Sequence, residues 1–154
     1  MKKNVISIRN DATVKDAARL MLGKKIGTLP VVNENGIMVG LTTIQAIAQI
    51  FLPDFVGLLS NIDFIKDFGV TGIPSIESFA KADEFTVVDI MEEPVVVESS
   101  SGLVRVLSVM TKHDIQDLPV CEDGVLVRIA SRVDILRGLL SEWQNDETRE
   151  KQPK

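Results

Sequence analysis

An internal repeat is the feature of this sequence that most constrains its fold. Residues 26–32 (Ile-Gly-Thr-Leu-Pro-Val-Val) return as residues 115–121 (Ile-Gln-Asp-Leu-Pro-Val-Cys), with four of seven positions identical at an offset of 89. Self-similarity of this kind indicates that one supersecondary unit is built more than once. The 154 residues therefore predict two half-size units that share a core.

The similarity extends upstream of these segments. Each copy has a short β-branched stretch, at residues 6–8 and 95–97, that predicts a strand. Apolar residues then follow at the i, i+3, i+4, i+7 spacing of one helix face. They are Val14, Ala17, Ala18 and Met21 in the first copy, and Leu103, Val106, Leu107 and Met110 in the second. Thr13 and Asp16 predict a capping box at the start of the first helix.

Downstream, each Leu-Pro pair is followed by a turn, an apolar strand and another helix. Glycine-containing turns at residues 33–36 and 122–124 predict β-hairpins. The hydroxyl residues Thr43 and Ser131 predict the N-caps of the closing helices. Each copy therefore predicts the order strand, helix, strand, strand, helix. One such unit has little core of its own, so we expect the two to pack through their sheets.

Composition and charge narrow the class of protein. Hydrophobic residues make up 45% of the chain and charged residues 25%, a balance typical of a globular protein. The net charge of −5 argues against nucleic-acid binding, which needs clustered positive charge. Cys121 is the single cysteine and has apolar neighbours, so we expect a buried thiol in a reducing compartment. No apolar run has the length of a signal peptide or a membrane span, and we expect a cytoplasmic protein that binds no membrane.

The repeated order of elements resembles the CBS domain, named after cystathionine β-synthase. The resemblance rests on Leu-Pro-Val before each hairpin and on the Thr or Ser that opens each last helix, and residues 86–95 look like the lead-in to a repeat. It implies an α+β fold of two βαββα repeats packed sheet to sheet as a pseudo-twofold pair, with a helical insert between them. The implied division is a first repeat at 4–52, a Phe-rich insert at 53–85, a second repeat at 86–143 and a disordered tail at 144–154.

The resemblance also implies a function. Members of the family commonly bind adenine nucleotides or S-adenosyl compounds in the cleft between repeats, and they often dimerise. We therefore expect a regulatory sensor for AMP, ADP, ATP or S-adenosylmethionine that catalyses no reaction, needs no cofactor, forms a homodimer and regulates a partner protein. The alternative is a structural dimerisation module whose ligand sites have degenerated.

The two copies differ at the motif that carries ligand binding in the family, Thr/Ser-x-x-Asp. The second copy has the intact form, with Ser131 and Asp134, whereas the first copy has Thr43 and Ala46. The resemblance implies that Asp134 accepts hydrogen bonds from ribose hydroxyls and that Ser131 lies where phosphate meets the helix N-terminus. The alternative for Asp134 is that it only caps its own helix. The asymmetry predicts about one ligand site per chain.

Further candidates are assigned by resemblance or by charge. Arg132 and Arg128 are candidates to supply positive charge to phosphate, with a solvated surface role as the alternative. Arg128 stands where the family usually has glycine, as Gly40 does in the first copy, so its side chain is expected either to close the cleft or to reach a phosphate. The remaining ligand candidates, near the expected adenine position, are Gln116, Asp117 and Val95. No spacing in the sequence predicts a metal site or a nucleophile–base pair, and the single histidine, His113, is expected at the surface.

All six phenylalanines fall at residues 51–85, in or beside the insert. A solvated loop would not collect so many aromatic side chains, so we expect the insert to pack on a surface. Three surfaces stay open: the module's own, a second copy of the chain, or a partner protein.

Overall fold

The structure, a computed structural model, describes residues 5–50, 80 and 83–150. The expectations for the Phe-rich insert lie almost entirely outside these residues. Phe85 is the one phenylalanine that the structure describes.

The first copy of the repeat forms a three-stranded sheet with two helices. Its elements are β1 (Ile8–Arg9), α1 (Val14–Lys24), β2 (Thr28–Val32), β3 (Met38–Thr43) and α2 (Ile44–Ile50). The strand order is β1-β2-β3, and β1 runs parallel to β2 with Ile8 opposite Val31. A short helix, α3 (Val87–Ile90), follows before the second copy.

The second copy repeats this arrangement. Its elements are β4 (Val97–Glu98), α4 (Leu103–Lys112), β5 (Asp117–Glu122), β6 (Val125–Ser131) and α5 (Arg132–Glu150). The strand order is β4-β5-β6, with β4 parallel and β6 antiparallel to β5. Val97 lies opposite Val120, the same register as Ile8 and Val31 in the first copy. The α+β fold class and the order of elements predicted from the repeat are confirmed.

Local chemistry starts the helices where the sequence predicts. Thr13 and Asp16 form the capping box of α1, in which the Thr13 side chain accepts a hydrogen bond from the Asp16 N–H. The hairpin turns have Gly36 at φ 76° and Gly124 at φ 79°, a left-handed conformation that glycine adopts without strain. These local features fix the direction in which each helix and strand leaves its turn.

Each copy buries its own apolar cluster. In the first copy, the predicted face of α1 is buried at Val14, Ala17 and Met21. In the second, Val106 and Met110 of α4 pack in one cluster with Leu118. Burying one such side chain contributes about 1.5–3 kcal/mol, so each cluster stabilises its own sheet and helices.

Cys121 belongs to the buried part of the second copy, as predicted, with 1% of its surface exposed. Burial raises the pKa of its thiol above the ordinary value, and the Glu98 carboxylate adds to the rise. Because the thiolate is the reactive form, this thiol is a poor nucleophile at neutral pH.

The chain divides into two compact units. Among the described residues, one unit holds 7–34, 39–50, 80 and 83–93, and the other holds 94–150 with 5–6 and 35–38. Residues 86–93, assigned by sequence to the second repeat, therefore pack with the first copy. The reason lies in the backbone, since the Val87 N–H donates to the Ala12 carbonyl over 2.9 Å.

Part of the predicted tail is helical. The sequence predicted disorder from residue 144, whereas α5 continues to Glu150. Residues 144–150 contain neither glycine nor proline. Adding residues to an existing helix costs little compared with starting one, so the helix extends past its packed part. None of the described helices combines the length and apolar character needed to cross a membrane.

Candidate functional site

The start of α5 holds the intact Ser-x-x-Asp motif of the second copy. The Ser131 hydroxyl oxygen accepts a hydrogen bond from the Asp134 N–H over 3.2 Å, so Ser131 caps the helix. The same hydroxyl donates to Asp134 Oδ2 over 2.8 Å. Arg137, one turn later, donates from Nη1 to Asp134 Oδ1 over 3.1 Å. The Asp134 carboxylate is thus oriented by Ser131, which ends β6, and by Arg137 of α5.

These contacts leave the Asp134 carboxylate accessible. Its side chain is 58% exposed, and the Arg137 side chain that pairs with it is 71% exposed. A carboxylate has about four acceptor positions, and the exposed part of this one is open to solvent. The capping and ribose-binding roles of Asp134 are therefore compatible in geometry.

A cavity of about 250 Å³ opens beside Asp134 within the second copy. Its apolar lining is Val97, Leu103, Val106, Val120, Ile129, Ala130 and Ile135. Its polar lining is Glu98, Ser101, Arg128 and Asp134. A cavity with both apolar walls and a few polar groups is the usual form of a small-molecule site.

Two of the predicted ligand residues, Asp134 and Arg128, line this cavity together. Arg128 lies opposite Val120 in the β5–β6 pairing, and its side chain is exposed. It therefore does not fill the cavity as a buried plug. The structure also adds Glu98 and Ser101, which the sequence reasoning missed. Glu98 ends β4 and Ser101 follows the turn after it, and the equivalent residues of the first copy, Arg9 and Ala12, have different chemistry.

The remaining predicted residues lie away from the cavity lining. Arg132 donates from Nη2 to the Met110 carbonyl over 3.1 Å and to Asp114 Oδ1 over 3.2 Å. Its guanidinium thus binds the C-terminal end of α4, where a cation is favourable. The Gln116 carbonyl accepts from the Arg132 N–H, and Asp117 pairs with Ser131 in the sheet.

Two other residues complete the account of the predicted positions. Val95 packs, partly buried, against the apolar cluster of the second copy rather than along the cavity. His113 ends α4 in an exposed position, as predicted. Within the described residues, no group of three or more His, Cys, Asp or Glu side chains is arranged to hold a metal ion.

The first copy presents a different surface at the equivalent helix start. Thr43 caps α2 by accepting from the Ala46 N–H over 3.1 Å. A shallow cavity of about 350 Å³ lies nearby, lined by Ala46, Gln49, Ile50, Asp89, Ile90, Met91 and Glu92. Asp89 Oδ2 accepts hydrogen bonds from the Thr86 N–H and hydroxyl, which cap α3. This surface has carboxylates but no arginine or lysine among its lining residues.

Known proteins share the sequence features and the fold described above. The family model described as CBS domain matches residues 1–52 and 87–141. An uncharacterized protein of Methanocaldococcus jannaschii is 25% identical over 145 residues, which is 93% of this chain and 42% of that protein. A homoserine O-acetyltransferase of Methanocorpusculum labreanum is 30% identical over 125 residues, 80% of this chain and 20% of the enzyme. The chain thus spans less than half the length of these curated relatives.

Solved structures show the same likeness. The CBS domain of a membrane protein from Sphaerobacter thermophilus is 29% identical with a TM-score of 0.63, covering 88% of this chain and 82% of that one. CBSX2 in complex with AMP is 25% identical with a TM-score of 0.63, covering 90% and 89%. A CBS domain pair in complex with 5′-methylthioadenosine and S-adenosyl-L-methionine is 21% identical with a TM-score of 0.61, covering 91% of each chain, a likeness of fold alone.

Proposed function

The chain belongs to the CBS domain family, and we propose that its second copy forms a regulatory binding site for an adenosine-containing ligand. The observation that carries the proposal is the cavity of about 250 Å³ bordered by Asp134 and Arg128. The accessible Asp134 carboxylate, at the start of α5, and the exposed Arg128 guanidinium, on β6, both border this cavity. We place this activity in a reducing compartment such as the cytoplasm, which suits the unpaired thiol of Cys121.

The size of the cavity suggests how a nucleotide would lie in it. Sites for small molecules usually measure about 300–1,000 Å³, so this cavity suits a nucleoside more than an entire nucleotide. The base and ribose would occupy the chamber, with the ribose hydroxyls donating to Asp134. The phosphate would then lie at the exposed rim, near Arg128 and the N-terminal N–H groups of α5.

The charges of the lining favour a ligand with few phosphates. Two carboxylates, Glu98 and Asp134, face one cation, Arg128, so each added phosphate increases repulsion faster than attraction. AMP is the first ligand to test, because CBSX2, which is 25% identical, binds it in the solved complex. Adenosine and S-adenosylmethionine follow, since neither adds further negative charge at the rim.

We also propose a homodimer that forms through α5. Four large apolar side chains recur along one face of this helix at spacings of three and four residues. They are Val133, Leu136, Leu140 and Trp143, each between 51% and 66% exposed. A second copy of the chain can cover this face with the same face of its own α5, in a symmetric contact. Light scattering tests this proposal: Leu140→Ser should convert a dimer into a folded monomer, and a monomeric unmodified chain would contradict it.

The rival function is structural. In it, the protein serves as a dimerisation module and the cavity binds no ligand. The same α5 face is compatible with this rival, and the cavity beside Asp134 distinguishes the sensor from it. The similarity to the homoserine O-acetyltransferase covers only 20% of that enzyme, so it supports a shared module rather than a shared reaction.

Calorimetric titration of AMP into the full chain tests the proposal. We expect saturable binding close to one AMP per chain, with a melting temperature that rises with AMP concentration because the ligand binds only the folded state. Asp89→Ala is the matched control, since Asp89 also caps a short helix start but lies outside the second copy. Absence of heat and of any thermal shift with AMP, adenosine and S-adenosylmethionine would favour the structural rival.

A further inference from the structure

The hairpin turns of the two copies carry the only Asn-Gly and the only Asp-Gly dipeptide of the chain. They are Asn35-Gly36 in the first copy and Asp123-Gly124 in the second, equivalent at an offset of 88 because the second turn is one residue shorter. Such dipeptides favour tight turns, and both glycines have a positive φ, of 76° and 79°. The second copy therefore already has the residue that hydrolysis of the Asn35 side-chain amide would produce.

The two turns lie against each other within one compact unit, since residues 35–38 belong to the same unit as the second copy. The Met38 N–H donates to the Gly124 carbonyl over 3.0 Å, and the Leu126 N–H donates to the Gly36 carbonyl over 3.5 Å. Both hydrogen bonds use backbone atoms of the first turn. A change in the length of that backbone would therefore displace them.

The Asn35-Gly36 dipeptide has the chemistry for a spontaneous modification. The backbone nitrogen of Gly36 can attack Cγ of the Asn35 side chain to form a succinimide ring. A new N–C bond forms, the C–N bond of the side-chain amide breaks, and the Gly36 N–H proton leaves with the amide nitrogen as ammonia. Glycine has no Cβ to obstruct this approach. Water then opens the ring to aspartate or to isoaspartate, in which the main chain runs through the former side chain.

Water reaches this dipeptide, because Asn35 is exposed and Gly36 is half-buried in the structure. The other described asparagines, Asn10, Asn33 and Asn145, are each followed by an acidic residue, which has a Cβ. Asn145 also lies within α5, where the helix fixes the backbone. Among the described asparagines, ring closure is therefore least hindered at Asn35.

We propose that Asn35 is a site of spontaneous deamidation and that its isoaspartate product loosens the contact between the two hairpin turns. The isoaspartate main chain is longer by one carbon atom, so the first turn can no longer keep both hydrogen bonds to the second. The product also adds a negative charge next to Glu34, opposite a turn that contains Glu122 and Asp123, and like charges repel. This inference is independent of the ligand proposed for the second copy.

Peptide mapping by mass spectrometry, after prolonged incubation of the full chain in mildly alkaline buffer, tests the modification. Alkaline conditions favour the attack because the Gly36 nitrogen must lose its proton. We expect Asn35 to convert at least about tenfold faster than Asn33, which lies in the same turn without a following glycine. Asn35→Gln should block the conversion, because its longer side chain must close a larger ring. Equal rates at the two asparagines, or an unmodified Asn35, would overturn the proposal.

Hydrogen exchange followed by NMR tests the effect on the contact between the turns. Ion exchange isolates the deamidated chain, which contains the isoaspartate form. Freshly purified Asn35→Asp is the matched control, because it has the same added charge and a backbone of ordinary length. We expect the Met38 and Leu126 amides to exchange about tenfold or more faster in the isoaspartate form than in the control, whereas the Ile115 amide at the end of α4 should exchange equally in both. Equal exchange of all three amides would overturn the proposed loosening.

Discussion

In the first copy of the repeat, β3 exchanges backbone hydrogen bonds with the chain that follows, whereas in the second copy the equivalent strand β6 borders a cavity of about 250 Å³. The sheets have the same strand order and the same register at Ile8–Val31 and Val97–Val120. Residues at a few equivalent positions on this shared fold differ between the copies.

Two of these positions act together. At one, Met91 approaches Gly40 so closely that a side chain there would meet it, and the second copy has Arg128 at this position. At the other, Ala46 has no acceptor, and Asp134 presents an accessible carboxylate. The first copy thus has neither the acid nor the cation at these positions, whereas the second copy has both.

The largest effect is expected from substitutions in the buried apolar cluster of each copy. These substitutions test whether the two clusters contribute equally to folding stability. Leu29 and Leu118 are equivalent and 0% exposed. Leu29→Ala and Leu118→Ala should each lower the free energy of unfolding by about 2–5 kcal/mol, measured by urea denaturation. AMP affinity of the folded fraction should fall only for Leu118→Ala, whose cluster includes Val97 and Val120 of the cavity lining. Equal loss of affinity in both variants would contradict the separation of roles.

The next largest effect is expected at Asp134. Its ribose-binding role would affect the AMP-binding equilibrium, whereas its capping role would affect the folding equilibrium. If it accepts ribose hydrogen bonds, Asp134→Ala removes charge-assisted bonds worth about 1.5–3 kcal/mol, and AMP affinity falls roughly ten- to a hundredfold. Loss of the capping contact with Ser131 should cost on the order of 1 kcal/mol of folding stability. Calorimetry and thermal melting on the same variant separate the two. A variant that melts lower but binds AMP as before would end the ribose assignment.

A smaller effect is expected at Arg128, because its side chain is exposed and solvent weakens its attraction to the AMP phosphate. Arg128→Gly gives the second copy the residue that the first has at position 40. The affinity for AMP should fall by about two- to fivefold, the range of an exposed ion pair, and the loss should shrink at high salt. Adenosine lacks the phosphate and serves as the control ligand, with unchanged affinity. A similar loss for both ligands would place Arg128 against the nucleoside instead.

The fold was predictable from sequence because periodicity and caps are local signals. The α1 face and the Thr13–Asp16 box each lie within one or two helical turns. The placement of residues 86–93 was not predictable, since it depends on backbone hydrogen bonds to residues 12–14 and 41, distant in sequence.

At the candidate site, the Ser131–Asp134 motif was visible for the same local reason. The orientation of Arg132 toward the end of α4 was not, because a charged side chain beside a motif looks the same whether it faces a ligand or a helix end. Glu98 and Ser101 were missed because they join the cavity only through the parallel pairing of β4 with β5.

The last substitution is expected to leave AMP binding unchanged. It tests most directly whether the two copies differ by more than one side chain. Ala46→Asp restores the acid that the first copy lacks. If the missing acid were the only defect, this variant would bind two AMP molecules per chain. We expect otherwise, because Leu41 and Thr42 are enclosed and the new carboxylate joins Asp89 and Glu92 at a cavity whose lining has no arginine or lysine. Calorimetry should therefore still count about one AMP per chain, with affinity unchanged. Two equal sites in this variant would show that the first copy is open, and the difference between the copies would then reduce to one side chain.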